Sequence, residues 1–194
     1  MSDPVAERTR ATAAAVTRAR DAIDAHARRV PDFPAPGIQF KDLTPVLADA
    51  DGLAAIVTAL THDCPDVDLV AGIDARGFLI GGAAARELGV GVLAVRKGGK
   101  LPPPVRATSY DLEYGSSVLE IPADGLDIAG MRVLVVDDVL ATGGTIVAAV
   151  GLLESAGAEV VGIAVVMELT GLGGRARIAD GVRPNLPVHA VTTD

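Results

Sequence analysis

The residues best suited to chemistry lie in one segment, Val133 to Thr145, which reads VLVVDDVLATGGT. Four consecutive apolar residues at 133–136 predict a strand buried on both faces, and the paired carboxylates of Asp137 and Asp138 end it. A Gly-rich turn then leads into a predicted helix. Glycine NH groups can approach a phosphate closely, threonine hydroxyls can donate to it, and the helix dipole favours an anion there. This predicted phosphate loop consists of Ala141, Thr142, Gly143, Gly144 and Thr145.

The two acids indicate what the phosphate belongs to. Neighbouring carboxylates can accept hydrogen bonds from adjacent sugar hydroxyls, so Asp137 and Asp138 followed by a phosphate loop predict a site for ribose 5-phosphate. Two other phosphate-binding loops are excluded, because a P-loop has a Lys after its last glycine and a dinucleotide-binding turn reads G-x-G-x-x-G. Neither pattern occurs in this segment.

Two further segments contain groups suited to binding an anion of higher charge than a single phosphate. Asp74–Gly77 follows a predicted strand, and its NH groups together with the Arg76 guanidinium suit a diphosphate; the alternative is a surface turn with an exposed arginine. The second segment is the basic loop, defined as residues 96–106, which has four cations and no acid in a chain of formal charge −8. This contrast favours an anion-binding lid, and the alternative is a solvated basic loop.

Composition limits the class of protein. The chain has 194 residues, of which 49% are hydrophobic and only 3% aromatic, so a single domain with an aliphatic core is expected. The net charge of −8 argues against a nucleic-acid partner, which requires clustered cations. Three features predict a cytoplasmic protein with no membrane partner. Cys64 is the lone cysteine, the N-terminus lacks the apolar stretch of a signal peptide, and no apolar run reaches about 18 residues. The three histidines show no spacing typical of a metal site.

Short apolar runs alternate with helical patterns along most of the chain. This alternation predicts an α/β fold with a mainly parallel sheet flanked by helices, in which ligands bind at the carboxyl ends of the strands. The predicted strands are Val67–Ile73, Val90–Arg96, Val133–Val136, Val160–Met167 and Val188–Thr192, with a hairpin formed by Tyr110–Tyr114 and Ser117–Ile121. The predicted helices are Val5–Val30, Leu53–Leu60, Phe78–Leu88, Thr145–Ala156 and Gly174–Ala179, with an irregular segment at Pro31–Pro45.

Asp137–Thr145 resembles the phosphoribosyl diphosphate signature of type I phosphoribosyltransferases. Other segments, in the family's order, resemble the members that act on adenine: Asp32–Asp42, Gly72–Phe78, Arg96–Pro102, Ser109–Gly115 and Glu168–Leu172. The resemblance implies purine salvage, in which the 5-phosphoribosyl group of phosphoribosyl diphosphate passes to adenine and gives AMP and diphosphate. It also implies a homodimer, and Mg²⁺ that enters with the substrate and binds no dedicated protein site beyond one acid of the Asp137 and Asp138 pair.

The resemblance implies one phosphoribosyltransferase domain over residues 1–194. Residues 1–66 would form an N-terminal helix and a base-binding hood, and residues 67–194 a core with a mobile lid hairpin at about 96–121. In the hood, Phe40 would stack on the base while the main chain around Gln39 and Lys41 pairs with its edge; from local sequence, Phe40 is equally an anchor for its loop.

The family's pattern also implies roles in catalysis. Glu113 would exchange a proton with the purine, although an exposed strand acid is the alternative, and Arg76 would stabilise the leaving group. The diphosphate would be bound by Asp74, Ala75, Arg76, Arg96, Lys97 and Lys100. A cis peptide bond is implied between Asp74 and Ala75.

Two other functions fit parts of the sequence. A phosphoribosyltransferase for 6-oxopurines would need a donor such as Lys in the strand Val160–Met167, which contains none. A transcriptional regulator that senses phosphoribosyl diphosphate would add a DNA-binding module, but no helix-turn-helix pattern precedes the core. A transferase acting on adenine therefore remains the favoured function.

Overall fold

The computed structural model describes residues 4–32, 36, 39–64, 66–112 and 115–194. Within these residues the chain forms two compact units, Met1–Asp63 and Cys64–Asp194. The first unit contains α1 (Pro4–His26), β1 (Arg28–Pro31), β2 (Gln39–Asp42), α2 (Thr44–Ala48) and α3 (Ala50–Thr61). The second contains β3 (Leu69–Ile73), α4 (Arg76–Leu88), β4 (Gly91–Lys97), β5 (Val105–Leu112), β6 (Gly115–Pro122), β7 (Arg132–Leu140), α5 (Gly144–Ser155), β8 (Glu159–Glu168), α6 (Gly174–Gly181) and β9 (Val188–Thr193).

The first unit is held together by helix packing. Ala15, Ala19 and Ile23 recur every four residues on α1 and are at most 1% exposed, as expected of one helical face. They belong to the contact between α1 and α3, whose Ile56 and Leu60 are also buried. Burial of this apolar face stabilises both helices.

The predicted helix to Val30 is wrong at its carboxyl end. The helix ends at His26, and Arg28–Pro31 pairs antiparallel with β2, placing Val30 opposite Phe40. Val30 is β-branched and precedes a proline, and both properties favour extended backbone over helix. Consequently the segment Pro31–Pro45 is not irregular throughout, because it includes β2 and the start of α2. Phe33 and Ile38 lie outside the described residues.

The sheet of the second unit has the strand order β5-β6-β4-β3-β7-β8-β9. Neighbours from β4 through β3, β7 and β8 to β9 are parallel, whereas β5, β6 and β4 pair antiparallel. The mainly parallel α/β fold predicted from the sequence is therefore confirmed. The core is aliphatic, since β3 is buried at every residue and α5 packs its apolar residues on the sheet. Within the described residues, no helix has the length and apolar content to cross a membrane.

Two boundaries that matter for the site differ from the prediction. Asp137 and Asp138 lie inside β7, not at its end, because the strand pairs with β8 as far as Leu140 and Glu168. Likewise β4 reaches Lys97 and β5 begins at Val105, so the irregular part of the basic loop is confined to residues 98–104. In both places the paired strand continues through polar residues. A strand prediction based on apolar runs omits these residues.

Candidate active site

The site forms where β3 and β7 end side by side. These strands are parallel neighbours, with Gly72 opposite Val136, so the turn after β3 lies beside Asp137 and Asp138. The carboxyl ends of adjacent parallel strands are where α/β sheets bind ligands. The turn contains the cis peptide bond between Asp74 and Ala75 that the family resemblance implied.

Arg76 and Asp138 form an ion pair in this cleft. Nε of Arg76 lies 2.5 Å from Oδ2 of Asp138, which is only 7% exposed. Asp137 Oδ1 accepts a hydrogen bond from the Asp138 NH at 2.8 Å. Loss of hydration and the adjacent Asp138 carboxylate raise the pKa of Asp137 well above its ordinary value, and Arg76 only partly opposes this. Ionisation of both acids is therefore unfavourable in the absence of a ligand, and a bound cation or sugar hydroxyls would stabilise it.

A cavity of about 540 Å³ opens onto this pair. The residues that line it are Asp74, Ala75, Arg76, Lys97, Tyr110, Ser117, Asp137, Asp138 and Thr145. A smaller cavity of about 70 Å³ adjoins it and is lined by Asp137 and residues 139–146. The two cavities share Asp137 and Thr145, so Asp137 lies between a space walled by the phosphate loop and a larger space that also contains Asp138, Arg76 and Lys97.

Another cavity, of about 440 Å³, is separate from these two and carries little chemistry. Its charged lining residues are Arg106 and Asp127, and the rest are mainly aliphatic. Arg106, the fourth cation of the basic loop, therefore faces a different space from Lys97. We assign the site to the cleft at β3 and β7, because several polar groups converge there.

The phosphate loop has the backbone geometry predicted for it. Gly143 has φ of +81°, which side chains rarely adopt, and a Cβ there would lie 2.7 Å from the Gly174 carbonyl oxygen. α5 begins at Gly144, and no described side chain caps its first turn. The first NH groups of a helix lack intrahelical partners, so those of α5 are available to an anion.

The basic loop is organised by hydrogen bonds at its base. Asp74 Oδ2 accepts from the Lys97 NH at 3.3 Å and lies 3.5 Å from Nε of Arg96. The Arg96 guanidinium also stands 5.6 Å from the centre of the Phe78 ring. Across the hairpin, the Gly99 NH donates to Glu120 Oε1 at 3.0 Å. Lys97 and Lys100 remain exposed, and of these two only Lys97 lines the large cavity.

Sequence reasoning missed Tyr110 and Ser117 as site residues. They face each other across the β5 and β6 hairpin, and both line the large cavity. The Tyr110 hydroxyl accepts a hydrogen bond of 3.5 Å from Thr145 Oγ1, which links the hairpin to the phosphate loop. The predicted hairpin had strands at 110–114 and 117–121 and therefore a different register; in the structure Leu112 pairs with Gly115, which places Tyr110 opposite Ser117.

The predicted base-binding residues lie in the first unit. Gln39 is exposed, while Phe40 and Lys41 are partly buried on β2. Nζ of Lys41 is 3.8 Å from Oδ1 of Asp24, and Lys41 pairs with Arg29 between β2 and β1, so both contacts lie within this unit. Glu113 lies outside the described residues, and its role stays a prediction.

Comparisons with known proteins identify the family of the chain. A family profile described as "Phosphoribosyl transferase domain" matches residues 39–183. An adenine phosphoribosyltransferase of Mycobacterium sp. (strain KMS) is 69% identical over 148 residues, which are 76% of this chain and 85% of the relative.

Solved structures lead to the same family. The adenine phosphoribosyltransferase from Rhodothermus marinus DSM 4252 is 45% identical with a TM-score of 0.82, covering 94% of this chain and 99% of that one. The enzyme from Saccharomyces cerevisiae, complexed with D-2,5-dideoxy-2,5-imino-altritol 1,6-bisphosphate and adenine, is 33% identical with a TM-score of 0.79, covering 90% and 98%. The chain therefore belongs to the adenine phosphoribosyltransferases, the pentosyltransferases that convert adenine to AMP with phosphoribosyl diphosphate.

Proposed function

We propose that the cleft at β3 and β7 carries out the family's reaction with a distinct binding position for each part of phosphoribosyl diphosphate. The phosphate loop binds the 5-phosphate, Asp137 and Asp138 accept from the ribose hydroxyls, and Arg76 with the basic loop binds the diphosphate. The observation that carries this proposal is that Asp137 lines two adjoining cavities, one walled by the phosphate loop and one that also contains Asp138, Arg76 and Lys97. The bisphosphate and adenine bound by the yeast relative support a site with two phosphate positions and a base position.

The chemistry of this arrangement is mainly electrostatic. Cleavage at the anomeric carbon gives the ribose oxocarbenium character while negative charge grows on the departing diphosphate. Arg76, Lys97 and the other diphosphate-binding residues Asp74, Ala75, Arg96 and Lys100 lie on the leaving-group side in this proposal. Arg76 exchanges its partner, from the Asp138 carboxylate to the diphosphate, when substrate binds. Holding the two reactants in line supplies the remainder of the rate enhancement.

The acid pair fits a magnesium ion that arrives with the substrate. Carboxylate oxygens are ligands that Mg²⁺ prefers, and a cation beside the pair would oppose burial and the Asp138 charge, which together raise the pKa of Asp137. Within the described residues, no group of three or more His, Cys, Asp or Glu side chains is placed to hold a metal. When bound, Mg²⁺ neutralises charge on the diphosphate, while Asp137 or Asp138 orients the ion.

Adenine is proposed to bind in the hood. Phe40 supplies the stacking face, and the main chain around Gln39 and Lys41 presents acceptors to the 6-amino group. Glu113 holds or moves a purine proton as N9 attacks the anomeric carbon. The strand β8 carries no Lys that could donate to a 6-oxo group, which favours adenine over 6-oxopurines.

The wider setting is also a proposal. A homodimer, a cytoplasmic location and one domain over residues 1–194 are supported by membership of the family and by the acidic, single-cysteine composition. Size measurement in solution tests the homodimer directly, since a monomeric active enzyme would contradict it.

The double substitution Asp137→Asn and Asp138→Asn tests the binding positions. Each amide keeps one acceptor oxygen but loses the charge that orients magnesium and ribose, so phosphoribosyl diphosphate should bind about tenfold more weakly, equal to about 1.4 kcal/mol. In the wild type, Mg²⁺ should increase the affinity for phosphoribosyl diphosphate. Calorimetry with and without Mg²⁺ should show that the double variant loses most of this increase. Asp124→Asn with Asp127→Asn is the control, because it removes the same charge from two exposed acids. Equal affinity in the folded double variant and this control would contradict the assignment.

A further inference from the structure

The resemblance to the family includes Glu168–Leu172, a segment that lines neither cavity of the proposed site. Its first residue ends β8 and pairs in register with Leu140 at the end of β7. Glu168 is only 5% exposed. A carboxylate this deeply buried requires a charged or hydrogen-bonding partner.

Arg175 is that partner, and it joins three elements. Its Nε donates to Glu168 Oε2 at 2.7 Å, and its Nη1 donates to the carbonyl oxygen of Val188 at 2.7 Å. Arg175 is the second residue of α6, Glu168 is the last of β8, and Val188 is the first of β9. The planar guanidinium fork therefore fixes the first turn of α6 against two strand ends.

The first turn of α6 is packed directly behind the phosphate loop. A Cβ on Gly174 would overlap the carbonyl oxygen of Ala141 and lie 2.6 Å from Cδ1 of Leu140. A Cβ on Gly143 would meet the Gly174 carbonyl oxygen at 2.7 Å. The two glycine-containing turns are thus in backbone contact, and displacement of α6 would displace the loop.

The phosphate loop depends on this backing because its own side chains hold it weakly. Glycine-rich backbone loses much conformational freedom when it is ordered, and no described side chain caps the start of α5. NH groups bind an anion well only when they already point at it. The loop has one long side-chain hydrogen bond, from Thr145 to Tyr110, so packing against the first turn of α6 supplies further order.

We infer that the Glu168–Arg175 ion pair positions the phosphate loop and thereby sets the affinity for the 5-phosphate of the substrate. Both are positioning residues, since they act through Gly174 and not on the substrate. The inference rests on the proposed 5-phosphate site in the phosphate loop. It gives the Glu168–Leu172 segment a role in substrate binding.

A second arginine in the same unit provides a matched control. Arg183 pairs with Glu154 at 3.4 Å and also donates to the carbonyl oxygen of Val160. This fork has the same chemistry, a carboxylate plus a strand carbonyl. It joins the carboxyl end of α5 to the start of β8, whereas the phosphate loop lies at the amino end of α5.

The experiment compares Glu168→Gln, Arg175→Lys and the control Glu154→Gln in the full-length chain. Calorimetry with ribose 5-phosphate and steady-state kinetics with both substrates are the readouts. Glu168→Gln should weaken ribose 5-phosphate binding and raise the KM for phosphoribosyl diphosphate by about five- to tenfold. The KM for adenine should change less than twofold, and Arg175→Lys should give a similar pattern because Lys lacks the fork. Glu154→Gln should leave all three quantities at wild-type values.

Gly143→Ala serves as a reporter of the loop itself. If it weakens ribose 5-phosphate binding while Glu168→Gln and Arg175→Lys do not, the 5-phosphate site stands and the inference is overturned. If Gly143→Ala has no effect, the proposed 5-phosphate site is wrong and the inference fails with it. A change in kcat with neither KM altered would show that the ion pair only stabilises the fold, which also overturns the inference. Arg175→Lys keeps the test decisive should Glu168→Gln not fold.

Discussion

The phosphate loop and the basic loop are proposed to bind two ends of one substrate, yet they are built in opposite ways. The phosphate loop has no charged side chain, its two glycines are buried, and the first turn of α6 packs against it. The basic loop offers exposed Lys97 and Lys100 on a turn that is held by hydrogen bonds of Lys97, Gly99 and Lys100 main-chain groups. In this proposal the phosphate loop binds through ordered backbone NH groups and the basic loop through exposed charged side chains. The 5-phosphate is retained through the reaction whereas the diphosphate leaves, so a rigid holder and a releasable one suit their ligands.

The largest predicted effect lies outside both loops. If the two loops only bind anions, another residue must exchange a proton with the purine, and Glu113 is the proposed residue. Glu113→Gln should then lower kcat by roughly 10²-fold while changing the affinity for either substrate little.

Steady-state kinetics on folded protein measures this, with Glu87→Gln on the exposed side of α4 as the control for loss of one carboxylate. A kcat near the wild-type value would show that Glu113 takes no part in proton transfer and that the two loops alone supply catalysis.

The next effect tests the rigidity of the phosphate loop. Gly143→Ala requires both a side chain at φ of +81° and room for a Cβ 2.7 Å from a carbonyl oxygen, so the loop must shift. We expect the KM for phosphoribosyl diphosphate to rise about tenfold or more, with a smaller change in the KM for adenine.

Gly151→Ala is the matched control, because it lies in the same helix with open space around its Cβ position. That control should keep wild-type kinetics and gain slightly in stability, by about 0.5–1 kcal/mol. Unchanged substrate affinity in Gly143→Ala would contradict the proposed 5-phosphate position in the phosphate loop, and with it the rigid holder.

The smallest effect concerns stability. The pKa of Asp137 is higher in the folded chain than in the unfolded one, so the unfolded chain ionises first as pH rises, and the folded state loses stability over that interval. Asp137→Asn removes this loss, and the ligand-free variant should have a Tm higher than the wild type at pH 7. The difference should shrink as pH falls below about 4, where both states of Asp137 are protonated. Thermal unfolding at both pH values checks this, and a variant less stable at pH 7 would show that Asp137 stabilises the fold.

The sequence predicted the parts of the site that depend on local order along the chain. Asp137, Asp138 and the phosphate loop follow one apolar strand, and a parallel sheet places them at the same edge as the turn at Asp74; the pairing of β3 with β7 then makes them neighbours. Residues brought in by pairing between distant strands were harder to predict. Tyr110 and Ser117 reach the cavity only through the hairpin register, and Arg175 reaches Glu168 only through the placement of α6.

The wrong predictions of where α1 and β7 end also come from pairing between strands. Val30 pairs with Phe40 in a small hairpin that no helical pattern can reveal, and β7 continues through two acids because β8 pairs with it that far. Tertiary pairing overrides local propensity at these positions. The roles of Gln39, Phe40 and Lys41 were predicted from the family resemblance and still need a test of binding.

The most direct test of the two-loop assignment is calorimetric binding of ribose 5-phosphate and of magnesium diphosphate to two variants, Gly143→Ala and the double variant Lys97→Ala with Lys100→Ala. Gly143→Ala should weaken ribose 5-phosphate about tenfold and leave diphosphate within twofold. The lysine variant should show the reverse pattern, and its loss should diminish at high salt because exposed charges are screened. Equal weakening of both ligands by both variants would contradict the assignment of separate 5-phosphate and diphosphate positions.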